Sequence, residues 1–144
     1  MKLYHGTYAK TRIEKFDFTM VGKNTKIEGL SNMWYHATTW LGIWFSENTV
    51  DRPYNYEYDV EDKDMMVVEN LDELISWLRN EVMAIENTSD NELYMNEETF
   101  KTLVLEVRNK MIEEGFSGIW INYDYECDCS TAIVINNDII NYEN

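Results

Sequence analysis

Apolar and polar positions change period along this chain, and the changes mark its elements. Lys2 to His5 reads as a short first strand ending at the Gly6-Thr7 turn signal. From Phe18 to Leu30 the pattern is irregular around Gly22 and Gly29 and predicts a long loop, which in a compact domain often carries function. Ile43 to Ser46 is apolar and aromatic, as a buried strand requires. Tyr54, Tyr56, Tyr58 and Val60 then alternate with polar partners at a period of two, and Met65 to Val68 predicts another short strand.

The middle of the chain switches to helical spacing. Leu71, Leu74, Ile75, Leu78, Val82 and Ile85 recur three and four apart behind Asn70, a suitable N-cap. Asn96, followed by Glu97 and Glu98, opens a second helix with the stripe Phe100, Leu103, Val104, Val107 and Met111, and Gly115 stops it. Strands return at Gly118 to Ile121 and Ala132 to Ile135. Strands, then helices, then strands again predict an α+β fold rather than a doubly wound parallel sheet.

Composition narrows this further. The 144 residues suit one domain spanning 1–144, and 44% hydrophobic with 14% aromatic residues is enough to fill a core. No apolar run approaches the roughly 20 residues that span a bilayer. The opening MKLYHGTYAK lacks the pattern of a signal peptide, so a cytoplasmic protein with no membrane partner is expected. One proline and six glycines leave no linker, and no repeat is visible. The net charge of −15 comes from 27 acidic and 12 basic residues with no Lys/Arg cluster, which argues against direct nucleic-acid binding. An acidic surface suits a protein partner with a basic surface, or simply solubility. Cys127 and Cys129 would point to opposite faces of a strand, and the loop between them is short for a disulfide, so reduced thiols are expected. His5 and His36 show no zinc-like spacing to them, and no metal is expected.

Four short segments carry the chemistry. They are Leu3-Tyr4-His5-Gly6-Thr7, Gly42-Ile43-Trp44-Phe45-Ser46 with an aromatic residue some ten positions on, Gly115-Phe116-Ser117-Gly118-Ile119, and Thr131-Ala132-Ile133-Val134-Ile135 leading to Asp138-Ile139-Ile140. In order and spacing they resemble the ADP-ribosyltransferase family, including a small phage-encoded anti-CRISPR member of similar size. The resemblance implies split mixed or antiparallel sheets with a central helical segment. It also implies NAD as the ADP-ribose donor and mono-ADP-ribosylation of a protein target by an effector, toxin or anti-CRISPR type of enzyme.

Such a transfer breaks the nicotinamide–ribose bond through a state of oxocarbenium character, as in glycoside hydrolysis. The site must hold the ring, satisfy its carboxamide and set a carboxylate near the developing cation. The resemblance implies that the backbone of Gly6 meets the carboxamide, His5 orients a ribose hydroxyl and Thr7 adds a hydroxyl contact. It places Trp44, Phe45 and Ser46 on the second strand of the site, with Tyr54 or Tyr56 as the further aromatic wall. His5, Trp44, Phe45 and the tyrosines also have plain structural readings, as a strand-end histidine and core aromatics. The family's usual closing-strand glutamate falls at Thr131, which carries no charge. The catalytic acid is then expected from the preceding loop: Asp128 first, Glu126 next, with Asp124 a further candidate. Loss of catalysis is the competing reading, an acidic protein of this fold that blocks a basic partner by binding. RNA 2′-phosphotransfer, a third chemistry of the same ancestral fold, would need a basic site that the chain lacks.

Overall fold

Alternation at a period of two builds a seven-stranded sheet, and the two amphipathic helices close over one of its faces. A computed structural model describes residues 1–18, 21, 33–86 and 97–143. The strands are β1 (Lys2–Thr7), β2 (Ile43–Ser46), β3 (Tyr54–Val60), β4 (Met65–Asn70), β5 (Gly118–Asp124), β6 (Cys129–Val134) and β7 (Ile140–Asn141). The helices are α1 (Met33–Ala37), α2 (Leu71–Glu86) and α3 (Glu97–Glu113), with 3-10 turns at Thr38–Trp40 and Asn137–Ile139. Sheet order is β4-β5-β6-β2-β1-β3-β7. All neighbours are antiparallel except β4 and β5. A parallel pair needs a crossover, and α2 with α3 supplies it. The fold is therefore mixed α+β.

β6 shows how the core is divided. Ile133 points into a cluster with Ile119, Ile121 and Val68, capped by Leu74, Leu78 and Val82 of α2 and Phe100, Val104 and Val107 of α3. Its neighbours Ala132 and Val134 face the other side, with Leu3, Phe16, Phe45, Tyr58 and Val60. Successive residues of a strand face opposite ways, so a strand buried on both faces must be apolar throughout. No helix among the described residues is long and apolar enough to cross a membrane.

Helix ends follow local chemistry. The Asn70 side chain accepts the Glu73 N–H at 2.9 Å, while the Glu73 carboxylate accepts the Glu69 N–H at 2.7 Å, a reciprocal cap for α2. At the far end of α3, Gly115 takes φ +92°, and the Phe116 N–H turns back to the Met111 carbonyl at 3.0 Å.

Several boundaries differ from the pattern reading. β1 runs on through Gly6 and Thr7, because both pair with β3, at Asn55 and Tyr54. β4 and β5 extend to Asn70 and Asp124, and β6 begins at Cys129 and ends at Val134. α1 was not anticipated, although buried Trp34, Ala37 and Leu41 have helical spacing. The expected loop from Phe18 to Leu30 lies outside the described residues except for Phe18 and Val21, and so does the expected cap Asn96. The strands also form one sheet where the resemblance implies split sheets. The join is narrowest between β1 and β2, where only Tyr4 and Ser46 are in register.

Candidate functional site

Past Tyr4 and Ser46 the β1–β2 ladder goes no further, and a cleft of about 760 Å³ lies beside these two strands. That volume is in the range of small-molecule sites. Tyr4, His5 and Gly6 of β1 line it with Trp44 and Ser46 of β2. The loop after β2 adds Val50, Asp51 and Arg52, and α1 with its 3-10 extension adds Tyr35, His36, Thr38 and Thr39. Asp124 at the end of β5, and Glu126 and Cys127 in the turn that follows, complete the lining.

His5 is fixed from two sides. Its Nδ1 lies 2.8 Å from the Trp44 carbonyl oxygen, and its ring meets Phe16 edge-on at 4.8 Å. A carbonyl only accepts, so Nδ1 carries the proton and Nε2 is left as an acceptor. Burial lowers the pKa of the ring; the bond to Trp44 opposes this, and the charge on Arg52 adds to it. The environment thus favours the neutral imidazole.

Gly6 has a steric reason to lack a side chain. A Cβ there would lie 2.2 Å from Val50 Cγ2 and 3.0 Å from Arg52 Cγ. The loop can approach because Asn55, opposite Gly6 in β3, grips it: the Asn55 side chain accepts the Val50 N–H at 2.9 Å and donates to the Val50 carbonyl at 3.1 Å. Arg52 is thereby brought to the cleft, and among the described residues it is the one Lys/Arg side chain in the lining.

The acids come from the β5–β6 hairpin. Residues 125–128 form its turn, and Asp128 takes φ +53°. Glu126 faces the cleft, where the Tyr35 hydroxyl donates to its carboxylate from the α1 side. The residue as a whole is exposed, yet the protein around its carboxyl withdraws enough water to raise its pKa. Asp124 is buried at 3% exposure. The Asn48 side-chain amide donates to the Cys127 carbonyl at 3.2 Å and ties the turn to the loop after β2. Against the expectation of free thiols, Cys127 and Cys129 form a disulfide, with Cα atoms 5.2 Å apart. Strand alternation does not apply, because Cys127 lies in the turn and the left-handed Asp128 folds the chain back. Among the described residues no group of three or more His, Cys, Asp or Glu side chains is placed to hold a metal ion.

The expected site residues divide into two sets. His5, Gly6, Trp44, Ser46 and Glu126 come together in the cleft, and so does the further candidate Asp124. Thr7, Phe45, Tyr54, Tyr56 and Asp128 are not among its lining residues. The Thr7 hydroxyl accepts the Ala9 N–H at 3.1 Å. Phe45 is fully buried and backs the His5 ring at 5.5 Å. Tyr54 and Tyr56 stack on each other with centroids 6.4 Å apart, and the Tyr56 hydroxyl donates to the Ala9 carbonyl. Asp128 accepts the Tyr123 hydroxyl at 2.8 Å. The α1 wall and Arg52 had no motif to announce them. Asp124 and Glu126 differ only in where the hairpin turns, which the residue types alone do not fix. No protein-family model, curated protein or solved structure matches the chain.

Proposed function

We propose that this protein is an NAD-dependent mono-ADP-ribosyltransferase acting on a protein acceptor. One observation carries the reading: an ionisable acid, Glu126, lines the same cleft as a neutral His5, the small Gly6 and the indole of Trp44. The cleft has the apolar wall that a pyridine ring needs, and Gly6, which lines it, brings no side chain between its backbone and a carboxamide. Nε2 of His5 accepts from a ribose hydroxyl. The Glu126 carboxylate stabilises positive charge on the ribose carbon as nicotinamide leaves with the electron pair of the glycosidic bond. The acceptor's nucleophile then bonds to that carbon and releases its proton to solvent. Arg52 offers the positive charge that a pyrophosphate requires in a chain of net charge −15.

The test is release of nicotinamide and transfer of label from NAD to protein in a lysate. Glu126→Gln should lower kcat by about 100-fold or more while NAD still binds, since it removes charge felt mainly in the transition state. Calorimetry showing no NAD binding at millimolar concentration would end this reading. Thr131, at the position where the family resemblance leads one to expect an acid, favours a second one: an acidic protein of this fold that occludes a basic partner. That reading wins if His5→Ala and Glu126→Gln keep biological activity while surface charge reversals abolish it.

A further inference from the structure

Asp124 is the one acidic side chain that is buried among the described residues, at 3% exposure, in a chain with 27 acids. A carboxylate leaves water at high cost unless hydrogen bonds replace it. Both of its oxygens are engaged. Oδ1 accepts the backbone N–H of Glu126 at 2.9 Å, and Oδ2 accepts the Thr131 hydroxyl at 2.9 Å. With its proton given to Asp124, the Thr131 oxygen is free to accept, and the Ser46 hydroxyl lies 3.2 Å away. The bonds therefore converge on Asp124: Ser46 on the cleft wall donates to Thr131 and Thr131 to one carboxylate oxygen, while the Glu126 amide donates to the other from the turn. All three side chains are buried; Glu126 is exposed. Asp124 also closes the ladder opposite Cys129, so its carboxylate sits where strand gives way to turn.

We infer that Asp124 is a positioning residue, whose buried carboxylate folds the 125–128 turn and so presents Glu126 to the cleft. The inference rests on the transferase reading for its catalytic consequence, but not for its geometry. It also gives Thr131 a task. The uncharged residue at the expected acid position anchors the acid-bearing turn from below instead of meeting substrate.

Two measurements on the intact chain test this, with NAD as the probe: hydrogen exchange at the Glu126 amide, and steady-state nicotinamide release. The Glu126 amide donates to the Asp124 carboxylate, so removing that acceptor should show directly in the exchange of this amide. Asp124→Ala should speed that exchange and lower kcat by about 10- to 100-fold, with KM for NAD nearly unchanged, as misplacement of one group by about 1 Å does. Asp124→Asn keeps an Oδ1 acceptor and should restore most of the protection and of kcat. Thr131→Val, which matches threonine in shape, should fall between them and serves if Asp124→Ala does not fold. Unchanged protection in Asp124→Ala overturns the inference. So does a loss in Asp124→Asn as severe as in Glu126→Gln while the amide stays protected, because Asp124 would then itself be the acid. If the wild type neither binds NAD nor releases nicotinamide, the functional reading falls, and the exchange result alone decides whether Asp124 holds the turn.

Discussion

The imidazole of His5 sits among Phe16, Phe45 and the Trp44 carbonyl, and its environment resists a second proton. Its pKa lies below the ordinary 6.5, chiefly through burial. The sign of the effect on stability follows from proton counting. As pH falls below about 6.5, the unfolded chain takes up a proton that the folded ring refuses, so the unfolded state gains and stability drops until the folded pKa is passed. The urea midpoint should therefore fall more between about pH 7.5 and pH 5 in the wild type than in His5→Gln, which has no such proton to take up. Equal falls would mean that the carboxylates alone set the acid limb. At this scale the sequence is legible where chemistry depends on residue type and strand position together. His5, Gly6, Trp44 and Ser46 lie on two strand ends, and both strands are visible as apolar runs. Asp128 ranks ahead of Glu126 and Asp124 in the sequence only as the acid nearest the closing strand, since the three stand at two-residue intervals in one acidic stretch. Their separation into surface, cleft and interior depends on a left-handed residue at 128, which aspartate tolerates but does not announce.

Two glycines, one at the end of α3 and one beside the cleft, are needed for different physical reasons, and the same substitution should separate them. Gly115 has φ +92° with nothing within 4 Å of a built Cβ, so Gly115→Ala meets only backbone strain. It should cost about 1 kcal/mol and lower Tm by a few degrees, leaving the cleft unchanged. At Gly6 the backbone is ordinary strand, but a methyl group would strike Val50. Gly6→Ala should therefore displace the loop that carries Arg52 and weaken ligand binding by more than its effect on Tm explains. Calorimetry with NAD beside thermal melts compares the two, and similar loss of affinity in both variants would sink the distinction. The long amphipathic helices were legible because each has a stripe of five or more apolar residues. α1 was not: five residues carry too little periodicity, and its aromatic residues read equally well as strand or loop. Its side chains nevertheless form a wall of the cleft, so part of the site was hidden with the element.

Over the whole molecule, 27 acidic residues face 12 basic ones, and all but one of the described acids lie outside the buried core. A surface so unbalanced repels itself, and folding draws the like charges together. Two of the ion pairs formed, Met1 with Asp59 and Lys110 with Glu81, are partly exposed and contribute little. Screening should then favour the folded state more than it harms those pairs. The Debye length shrinks from about 30 Å at 0.01 M salt to about 10 Å at 0.1 M, shorter than the width of the domain. The urea midpoint should accordingly rise between these concentrations of sodium chloride and flatten beyond them. Chloride is the right anion, because sulfate strengthens apolar burial by exclusion and would raise the midpoint for another reason. A midpoint that is flat or falls over this range would show that local pairs outweigh the net charge. The same measurement bears on partners: a surface under this much repulsion is relieved when a basic protein docks on it. Association with a basic acceptor should slow steeply with salt over the window in which the free protein gains stability.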